Sequence, residues 1–437
     1  MRRSWFRRSA ICLLLACTFI INGCEWVQDP KLLMSVPKLP EEQANLMSII
    51  NAQLPEGGEK VRPNNSTDGS AVRMADLDGD GKAEAIVFYE IPDSDVRLHG
   101  MILKSDGKEW KKVADFEGGG VRLDYVETVD LTRDNRLDLL VGYGSQDRDS
   151  LNKGMVVYSF VNNRIEKIFE QPYSQTVIDD LDGDSKKELY IVSHHKGKPP
   201  LLSQYQYMDQ KLTKTAEIQM DVEVNAVYNM VSGLISKDKR GLVLDMSVGA
   251  NYYASVGLLC LDGQFIEAVP MENTIRSQSY SSTDINNDGI IEFVKNEAPQ
   301  GWDIFREYEV PYFLNYFQWD GKNELKLVQK QYRDYADRFH FTIPTSWYGR
   351  VSVDTKSDRD EYIRFIDYQT NETLAEIKFF SVENWERYKN KWTYLAAYGE
   401  EVIGILSKEP LKLNDGSLKL PELEQDSETA EKKSTKS

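Results

Sequence analysis

An acidic segment of nine residues recurs five times along this chain of 437 residues, and the copies are almost evenly spaced. The best copy, residues 76–84, has the sequence DLDGDGKAE, and similar copies begin at Asp130, Asp180 and Asp284. A degenerate copy occupies residues 233–241, so successive copies begin 54, 50, 53 and 51 residues apart. A repeat of this length is one supersecondary unit copied along the chain, which restricts the fold to a serial array of similar units.

The oxygen-bearing residues of each copy stand at the alternate positions that suit a hard cation. Calcium takes about six to eight oxygen ligands in a flexible shell. The best copy offers carboxylates at positions 1, 3, 5 and 9, separated by glycines that tolerate positive φ. In this interpretation position 7 contributes its backbone carbonyl, and we predict roughly three to four structural Ca²⁺ ions. The predicted ligands are Asp76, Asp78, Asp80, Lys82, Glu84, Asp130, Thr132, Asp134, Arg136, Asp138, Asp180, Asp182, Asp184, Lys186, Glu188, Asp284, Asn286, Asp288, Ile290 and Glu292.

The copies differ in quality. In the second copy Thr132 replaces the acid at position 3, and Asn135 replaces a glycine. The fourth copy keeps the spacing but has lost the ligands, so we predict that it binds no ion. The alternative for every copy is an acidic turn without an ion. Four copies keep the same register and the downstream acid, and this pattern favours the interpretation of ion binding.

An EF-hand is the first rival interpretation, and the flanking residues exclude it. An EF-hand needs flanking helices and an acid at loop position 12, where the first and third copies have Val87 and Ile191. The runs that follow the loops, such as residues 85–89 and 189–192, are instead β-branched and aromatic, as strands require. The unit is therefore predicted to be strand, ion loop, strand.

A second turn lies about 30 residues after each loop start and completes the repeat. Asp-Gly and related dipeptides between apolar runs predict a hairpin, which gives four strands per repeat. Residues 66–334 are thus predicted to form a β-propeller of about five four-stranded blades, with a range of five to seven. The turn dipeptides begin at Asp106, Asn162, Asp209, Asp262 and Asp320.

The loop and its strands resemble the FG-GAP/VCBS repeat family, whose calcium-loop blades also occur in integrin α-subunit heads. The resemblance covers residues 66–334 and rests on the Asp-x-Asp-x-Asp-Gly pattern with its downstream acid. The Phe-Gly and Gly-Ala-Pro signatures of the family are absent, so only the loop-and-strand part of its pattern is matched. Integrin-type heads have seven blades, which is the reason for the upper limit of our range.

The N-terminal residues have the features of an export signal. Four arginines precede an apolar stretch at residues 10–21, which is too short to span a membrane. It ends in Ile-Asn-Gly-Cys24, which resembles a bacterial lipobox, so we predict a signal peptide over residues 1–23 and lipidation of Cys24. Cys17 is an alternative lipidation site with a shorter apolar region, and a plain signal peptide or an uncleaved anchor remain open. The prediction places the protein in the bacterial cell envelope, in contact with the membrane through its lipid.

Charge and cysteine content agree with an exported protein. Removing the four arginines of residues 1–23 takes the net charge from −17 to −21, which argues against nucleic acid as a partner. Only Cys24 and Cys260 remain in that mature chain, so no disulfide is predicted, and Cys260 lies in an apolar run that predicts burial.

The segments outside the repeats are predicted to have separate roles. Residues 24–65 form a lipidated tether and lead-in, with a short amphipathic helix over residues 41–52 that packs on the propeller or closes its ring. Residues 335–424 form a small α+β module that begins with strands at residues 339–343 and 350–353. Residues 425–437 have almost no apolar side chain and are predicted to be disordered.

Binding or scaffolding is a better interpretation than catalysis. The chain has only four histidines and no nucleophile elbow, zinc-binding helix motif or phosphate-binding glycine loop. The predicted partner is an unknown extracellular protein or glycan. A propeller-based carbohydrate-active enzyme, either a glycosidase or a lyase, is the alternative, and a structural envelope protein or assembly partner is a third. Trp302 and Phe305, in an insertion of the fifth repeat, are expected to pack in a core or against the C-terminal module rather than line a ligand site.

Overall fold

The computed structural model describes residues 41–65, 70–92, 94–107, 109–145, 153–195 and 197–413. This part of the chain is mainly β, with 27 strands and two α-helices. Neither α-helix is long and apolar enough to cross a membrane. The predicted signal peptide, Cys17, Cys24 and the predicted disordered tail lie outside the described residues.

The first four sheets each contain four consecutive antiparallel strands. Sheet 1 consists of β2 (Val72–Ala75), β3 (Glu84–Glu90), β4 (Leu98–Ser105) and β5 (Trp110–Glu117), and the short β1 (Glu59–Lys60) also pairs with β3. Sheet 2 consists of β6 (Arg122–Val129), β7 (Asp138–Gly144), β8 (Lys153–Val161) and β9 (Arg164–Tyr173). Sheet 3 consists of β10 (Gln175–Asp179), β11 (Glu188–Ser193), β12 (Leu201–Met208) and β13 (Lys211–Gln219). Sheet 4 consists of β14 (Val224–Leu234), β15 (Arg240–Val248), β16 (Tyr252–Leu261) and β17 (Gln264–Val269).

The hairpin turns between the third and fourth strands lie where the sequence predicted them. In sheets 2, 3 and 4 both turn residues have left-handed backbone conformations. Turns of this kind match the right-handed twist of the flanking strands. The φ angles are 51° and 59° at Asn162 and Asn163, 50° and 61° at Asp209 and Gln210, and 50° and 70° at Asp262 and Gly263.

The fifth sheet departs from this pattern at both edges. It contains β18 (Phe293–Glu297), β19 (Phe313–Trp319), β20 (Leu325–Arg333), β21 (His340–Thr342) and β27 (Lys412–Leu413). The strand before its acidic loop is reduced to a single bridge between Thr283 and Glu292. The prediction that residues 339–343 open the C-terminal module was wrong, because β21 pairs with β20. Asp334 causes the reversal: its carboxylate accepts hydrogen bonds from the backbone N–H groups of Ala336 and Arg338.

A sixth sheet and a short helix form the C-terminal module. Its strands are β22 (Val351–Val353), β23 (Tyr362–Asp367), β24 (Thr373–Ser381), β25 (Thr393–Tyr398) and β26 (Glu401–Ser407), in the order β22-β23-β24-β26-β25. Helix α2 (Val382–Tyr388) follows Ser381, whose hydroxyl accepts from the Asn384 N–H as an N-cap. Short 3₁₀ helices occur at Met271–Thr274, Glu307–Glu309 and Thr345–Trp347.

The sheets pack face to face in series because successive side chains of a strand point to opposite faces. In β7, Val141 joins the core shared with sheet 1, whereas its neighbour Leu140 joins the core shared with sheet 3. In β15, Leu244 faces sheet 3 and Val243 faces sheet 5. Cys260 is buried in the core between sheets 3 and 4, as predicted.

The two ends of the array are covered by different elements. Helix α1 (Glu41–Gln53) lies on the outer face of sheet 1, where Leu46 and Ile50 pack against the buried side chains of β3 and β4. The predicted helix is confirmed. At the other end, Phe313 and Phe341 of sheet 5 share a core with Phe365 of the sixth sheet. Buried clusters therefore run from α1 through five sheets to the C-terminal module.

Candidate metal centres

The acidic segments connect the first and second strands of sheets 1, 2 and 3, and the last copy leads into β18. Each loop is held by the aspartate at position 1. The carboxylate of Asp76 accepts hydrogen bonds from the backbone N–H groups of Gly79, Asp80 and Gly81, at 2.8, 3.1 and 2.9 Å. Gly79 and Gly81 have φ angles of 74° and 83°, which the curled loop requires. The corresponding carboxylates of Asp130, Asp180 and Asp284 accept from their own loops in the same way.

Position 7 is also held similarly in each loop. Its backbone N–H donates to the carboxylate at position 5, at 2.8 to 3.0 Å. The residues concerned are Lys82 with Asp80, Arg136 with Asp134, Lys186 with Asp184, and Ile290 with Asp288. Local turns therefore shape all four loops before any ion is considered.

The acid at position 9 is buried and opens the second strand. Glu84, Glu188 and Glu292 have no exposed surface. One oxygen of Glu84 accepts from the Leu77 N–H at 2.8 Å, and one oxygen of Glu292 accepts from the Ile285 N–H at 2.8 Å. The other oxygen, Oε1, of both Glu84 and Glu188 is buried and accepts no hydrogen bond within the described part of the chain. A buried carboxylate oxygen without a donor is costly, and a cation would satisfy it.

Three of the loops bring carboxylates together. The groups Asp76, Asp78 and Glu84, then Asp180, Asp182 and Glu188, and then Asp284, Asp288 and Glu292 each place ligand oxygens within 4.8 Å of one another. Oxygen-only groups of this kind fit a hard divalent cation such as Ca²⁺. Each group contains three of the predicted ligands of its copy, while Asp80 and Asp184, which were also predicted, are not part of these groups.

The second loop does not form such a group among the described residues. Thr132 stands at position 3, and the guanidinium of Arg136 binds Asp134, with its Nε at 3.0 Å. Asp138 instead accepts from the backbone N–H groups of Leu131 and Thr132. The predicted ligands of this loop are therefore present in sequence, but their acidic oxygens already have protein partners.

Burial and the nearby carboxylates raise the pKa values of the glutamates at position 9. Burial raises the pKa of Glu188 to about 7, assisted by the nearby charges of Asp182, Asp184 and Asp180. Burial also raises the pKa of Glu292 to about 7, and the pKa of Glu84 rises for the same reason. In the ion-free protein these sites therefore disfavour negative charge, which a bound cation would stabilise.

A neighbouring strand supplies one more side chain to each of two loops. Ala85 of β3 pairs with Leu103 of β4, so Lys104 lies beside Glu84. The Lys104 ammonium contacts Asp78, lies 2.8 Å from an oxygen of Asp80, and lies 3.7 Å from Glu84 Oε1. In sheet 5 the same strand position holds Gln318, whose Nε2 donates to Asp288 at 2.6 Å and to Glu292 at 2.7 Å.

The sequence analysis missed Lys104 and Gln318. Each stands two residues before an Asp-Gly turn that the analysis did identify, at Asp106 and Asp320. That constant offset is the signal that could have found them. The loops also contact one another, since the Arg133 guanidinium of the second loop lies 3.8 Å from Glu188 Oε1 of the third.

The degenerate fourth copy joins sheet 4 to sheet 5. Leu234 forms a parallel bridge with Ile290 of the fifth loop. The Lys239 ammonium donates to the Gly321 carbonyl at 2.6 Å and lies 4.9 Å from the centre of the Trp319 ring. The fourth copy therefore connects sheets 4 and 5 through a backbone bridge and the contacts of Lys239.

The inserted aromatics pack in a core, as expected. Trp302 is buried, and its indole N–H donates to the Val353 carbonyl of β22 at 2.8 Å. Its ring centre lies 4.6 Å from that of Phe305, and both belong to the core shared with the C-terminal module.

Comparison with known proteins identifies distant structural likenesses. The sequence matches no described protein family, and it matches no curated protein. Rhamnogalacturonan lyase YesW is 11% identical with a TM-score of 0.29, covering 72% of this chain and 69% of that chain. A Bacillus licheniformis rhamnogalacturonan lyase is 12% identical with a TM-score of 0.30, covering 80% and 74%. TolB from Acinetobacter baumannii is 11% identical with a TM-score of 0.26, covering 68% and 63%. At these scores the likenesses carry no argument about function.

Proposed function

We propose that this protein is a lipid-anchored binding or scaffolding protein of the bacterial cell envelope, built on a calcium-stabilised β-propeller. One observation carries the proposal. Equivalent loops of three sheets each bring three carboxylates together, one of which belongs to a buried glutamate. In two of them an oxygen of that glutamate accepts no hydrogen bond from the described chain. A chain gains little from repeating this arrangement unless a cation occupies it.

The serial packing of the sheets supports the propeller and the relation to FG-GAP/VCBS repeats. Each of the first four units is a four-stranded antiparallel sheet, and sheets 2, 3 and 4 each share one core with the sheet before and one with the sheet after. Four-stranded units in radial series are the blades of a propeller. The arrangement that we propose is a series of five blade-like sheets, whose first and last members are covered by α1 and by the C-terminal module.

The role of the ions in this proposal is structural. An ion that binds the folded chain but not the unfolded chain stabilises the fold by mass action. Extracellular modules typically hold calcium with a Kd of roughly 10⁻⁴–10⁻³ M. Loop occupancy, and with it stability, would follow the calcium concentration outside the cell.

Binding is preferred over catalysis because the ion loops account for the clustered carboxylates. The three acidic groups are the only sets of three or more potential metal ligands found among the described residues. The net charge of −17 for the whole chain disfavours polyanionic partners. The proposed partner is an extracellular protein or a glycan, and the membrane is contacted through the lipid on Cys24.

A thermal melt of the full-length protein in detergent tests the ion proposal. Unfolding is followed in EDTA and in millimolar calcium, and bound metal is counted by elemental analysis. Three ions per chain, one for each acidic group, and a clear rise in the melting temperature are expected. If no metal is bound and the melting temperature does not change, the loops are acidic turns without ions.

Lipid labelling tests the anchor separately. Bacteria that express the chain are grown with radiolabelled palmitate, and the protein is recovered from membranes. Cys24→Ser is expected to abolish both label and membrane association, whereas Cys17→Ser serves as the matched control and keeps both. Label lost only from the Cys17→Ser variant would move the anchor to the alternative site.

A further inference from the structure

Two adjoining cavities lie where sheet 5 meets its insertion and the loop before β23. Their volumes are about 470 and 270 Å³. Tyr280, Arg333 and Tyr335 line both cavities, so the two adjoin, and we refer to the pair as the cleft. The larger volume falls in the range of about 300–1,000 Å³ that is typical of small-ligand sites. Ile285 of the fifth acidic loop lines the larger cavity, but none of the predicted ion ligands lines either one.

Tyrosine rings dominate the lining of the cleft. Tyr308 is 65% exposed and Tyr335 is 59% exposed, although both stand in ordered surroundings. The guanidinium of Arg306 lies 5.9 Å from the centre of the Tyr308 ring, and that of Arg359 lies 5.3 Å from the centre of the Tyr335 ring. Tyr335 also donates its hydroxyl to Asp360 at 2.9 Å. The guanidinium of Arg338 also lies 5.1 Å from the centre of the Tyr335 ring, so cations help to position both rings while more than half of each side chain stays exposed.

One donor in the cleft has no protein acceptor. Arg359 lines the smaller cavity and donates through Nη1 to the Tyr308 carbonyl at 2.9 Å. Its Nη2 is buried and makes no hydrogen bond within the described part of the chain. A buried donor without an acceptor is costly, so an oxygen of a bound molecule would stabilise the site.

Two ion pairs lie at the cleft, which is also lined by Glu307. Arg333 binds Asp337 through two hydrogen bonds of 2.7 Å. Asp334 binds Arg338 in the same two-point manner, at 2.8 and 2.9 Å. Each of these two ion pairs is neutral by itself. The cleft therefore offers no cluster of free positive charge for a polyanion. A neutral ligand with both donors and acceptors fits this lining.

We propose that the cleft binds a neutral oligosaccharide. A sugar ring has apolar C–H faces that stack on tyrosine rings such as Tyr308 and Tyr335. Its hydroxyl groups both donate and accept, and one of them satisfies Arg359 Nη2. This inference deepens the proposed binding role and rests on it, because it assigns the chemical class of the extracellular ligand.

The test begins with the full-length protein in detergent and a panel of neutral hexasaccharides from glucan, mannan, xylan and galactan. A uronate hexasaccharide and a proline-rich peptide are included as competing ligand classes. Binding is measured by titration calorimetry in millimolar calcium. At least one neutral hexasaccharide is expected to bind, and its affinity should exceed that of the uronate and of the peptide. No neutral binder, or tighter binding of the uronate or the peptide, would overturn the assignment.

Point variants then locate the bound sugar. Tyr335→Ala and Tyr308→Ala are expected to weaken binding by roughly tenfold or more, as the loss of an anchoring aromatic does. Tyr398→Ala is the matched control, since Tyr398 is 58% exposed but lies on β25 and does not line the cleft. Equal binding by all three variants would exclude the cleft.

The calcium-dependent melting shift is recorded on the same preparations. A normal calcium shift without sugar binding overturns the ligand assignment and leaves the ion loops intact as a proposal. Sugar binding that persists without any calcium shift overturns the ion loops instead. The two proposals therefore fail in distinguishable ways.

Discussion

The first and fifth acidic loops have the same backbone but different neighbours. Both are held by the aspartate at position 1, and both bring together two aspartates and a buried glutamate. The adjacent strand places the ammonium of Lys104 on the first loop and the amide of Gln318 on the fifth. Contacts with Asp78 and Asp80 raise the pKa of Lys104, so it stays charged there. The first loop thus carries its own cation, and an incoming calcium must displace it.

The difference teaches that loop shape and ion affinity have separate origins. Loop shape follows from residues within nine positions of one another. In the first repeat, Lys104 determines the charge beside the proposed ion site, and this strand residue lies about 20 positions beyond the loop. Copies with equally good ligand patterns are therefore expected to differ in calcium affinity.

The largest expected effect comes from removing the buried acid of the fifth loop. Glu292→Gln should abolish calcium-dependent stabilisation by that loop, because its carboxylate is the buried ligand. At calcium ten times above Kd the loss is about 1.4 kcal/mol. Glu84→Gln should cost less, because Lys104 already weakens the first loop. Thermal melts in EDTA and in calcium measure the loss of stability in each of the two variants, and the exposed Glu324→Gln serves as control. A full calcium shift in Glu292→Gln would remove the fifth loop from the proposed sites.

Exchanging the strand residues should exchange the behaviour of the two loops. Gln318→Lys is expected to lower the calcium affinity of the fifth loop by at least ~10-fold, since a positive charge then lies beside the ion. Lys104→Gln is expected to raise the affinity of the first loop by a similar factor. Titration calorimetry measures the affinities, and elemental analysis counts the ions.

The exposed residues Gln264 and Lys111 provide matched controls for this exchange, as Gln264→Lys and Lys111→Gln. Lys111 lies in the same sheet as Lys104 but pairs with Asp106 and not with the ion loop. If the controls change calcium binding as much as the exchange does, then general charge and not local geometry sets the affinity.

The ion-free protein should lose stability as pH rises from about 5 to about 8. Burial raises the folded-state pKa of both Glu188 and Glu292 to about 7, above the usual value of 4.5. Between these values the folded chain binds more protons than the unfolded chain, so raising the pH favours unfolding. Calcium should reverse the trend, because it binds the ionised carboxylates.

Denaturant unfolding in EDTA at pH 5 and pH 8 measures this slope. Glu188→Gln and Glu292→Gln should each flatten it. Glu84→Gln should flatten it less, because the charge of Lys104 opposes the effect of burial on the pKa of Glu84. An equal effect of all three variants would contradict the distinction between the first and fifth loops.

The parts of the molecule that were predictable from sequence are those that depend on local spacing. The curled acidic loops, the hairpin turns and α1 each follow from residues close together in the chain. Lys104, Gln318 and Arg133 were missed because their roles depend on strand register or on the packing of neighbouring loops. β25 was not predicted, although the threonine and the two tyrosines of TYLAAY are residue types that favour strands. β21 was assigned to the wrong module because sheet membership depends on pairing partners, which a strand pattern does not specify.

The smallest expected effect concerns the second loop, where a cation also comes from the chain itself. Pairing with Arg136 lowers the pKa of Asp134, so this carboxylate is already neutralised by a protein group. Arg136→Gln should raise the calcium affinity of the loop only a few-fold, because Thr132 still leaves position 3 without a carboxylate. Adding Thr132→Asp to Arg136→Gln should produce one further bound ion by elemental analysis, with the exposed Arg164→Gln as control. If the double variant binds no additional ion, then calcium binding by the second loop is limited by the positions of its carboxylates and not by their number. Charge alone would then not explain the differences between the loops.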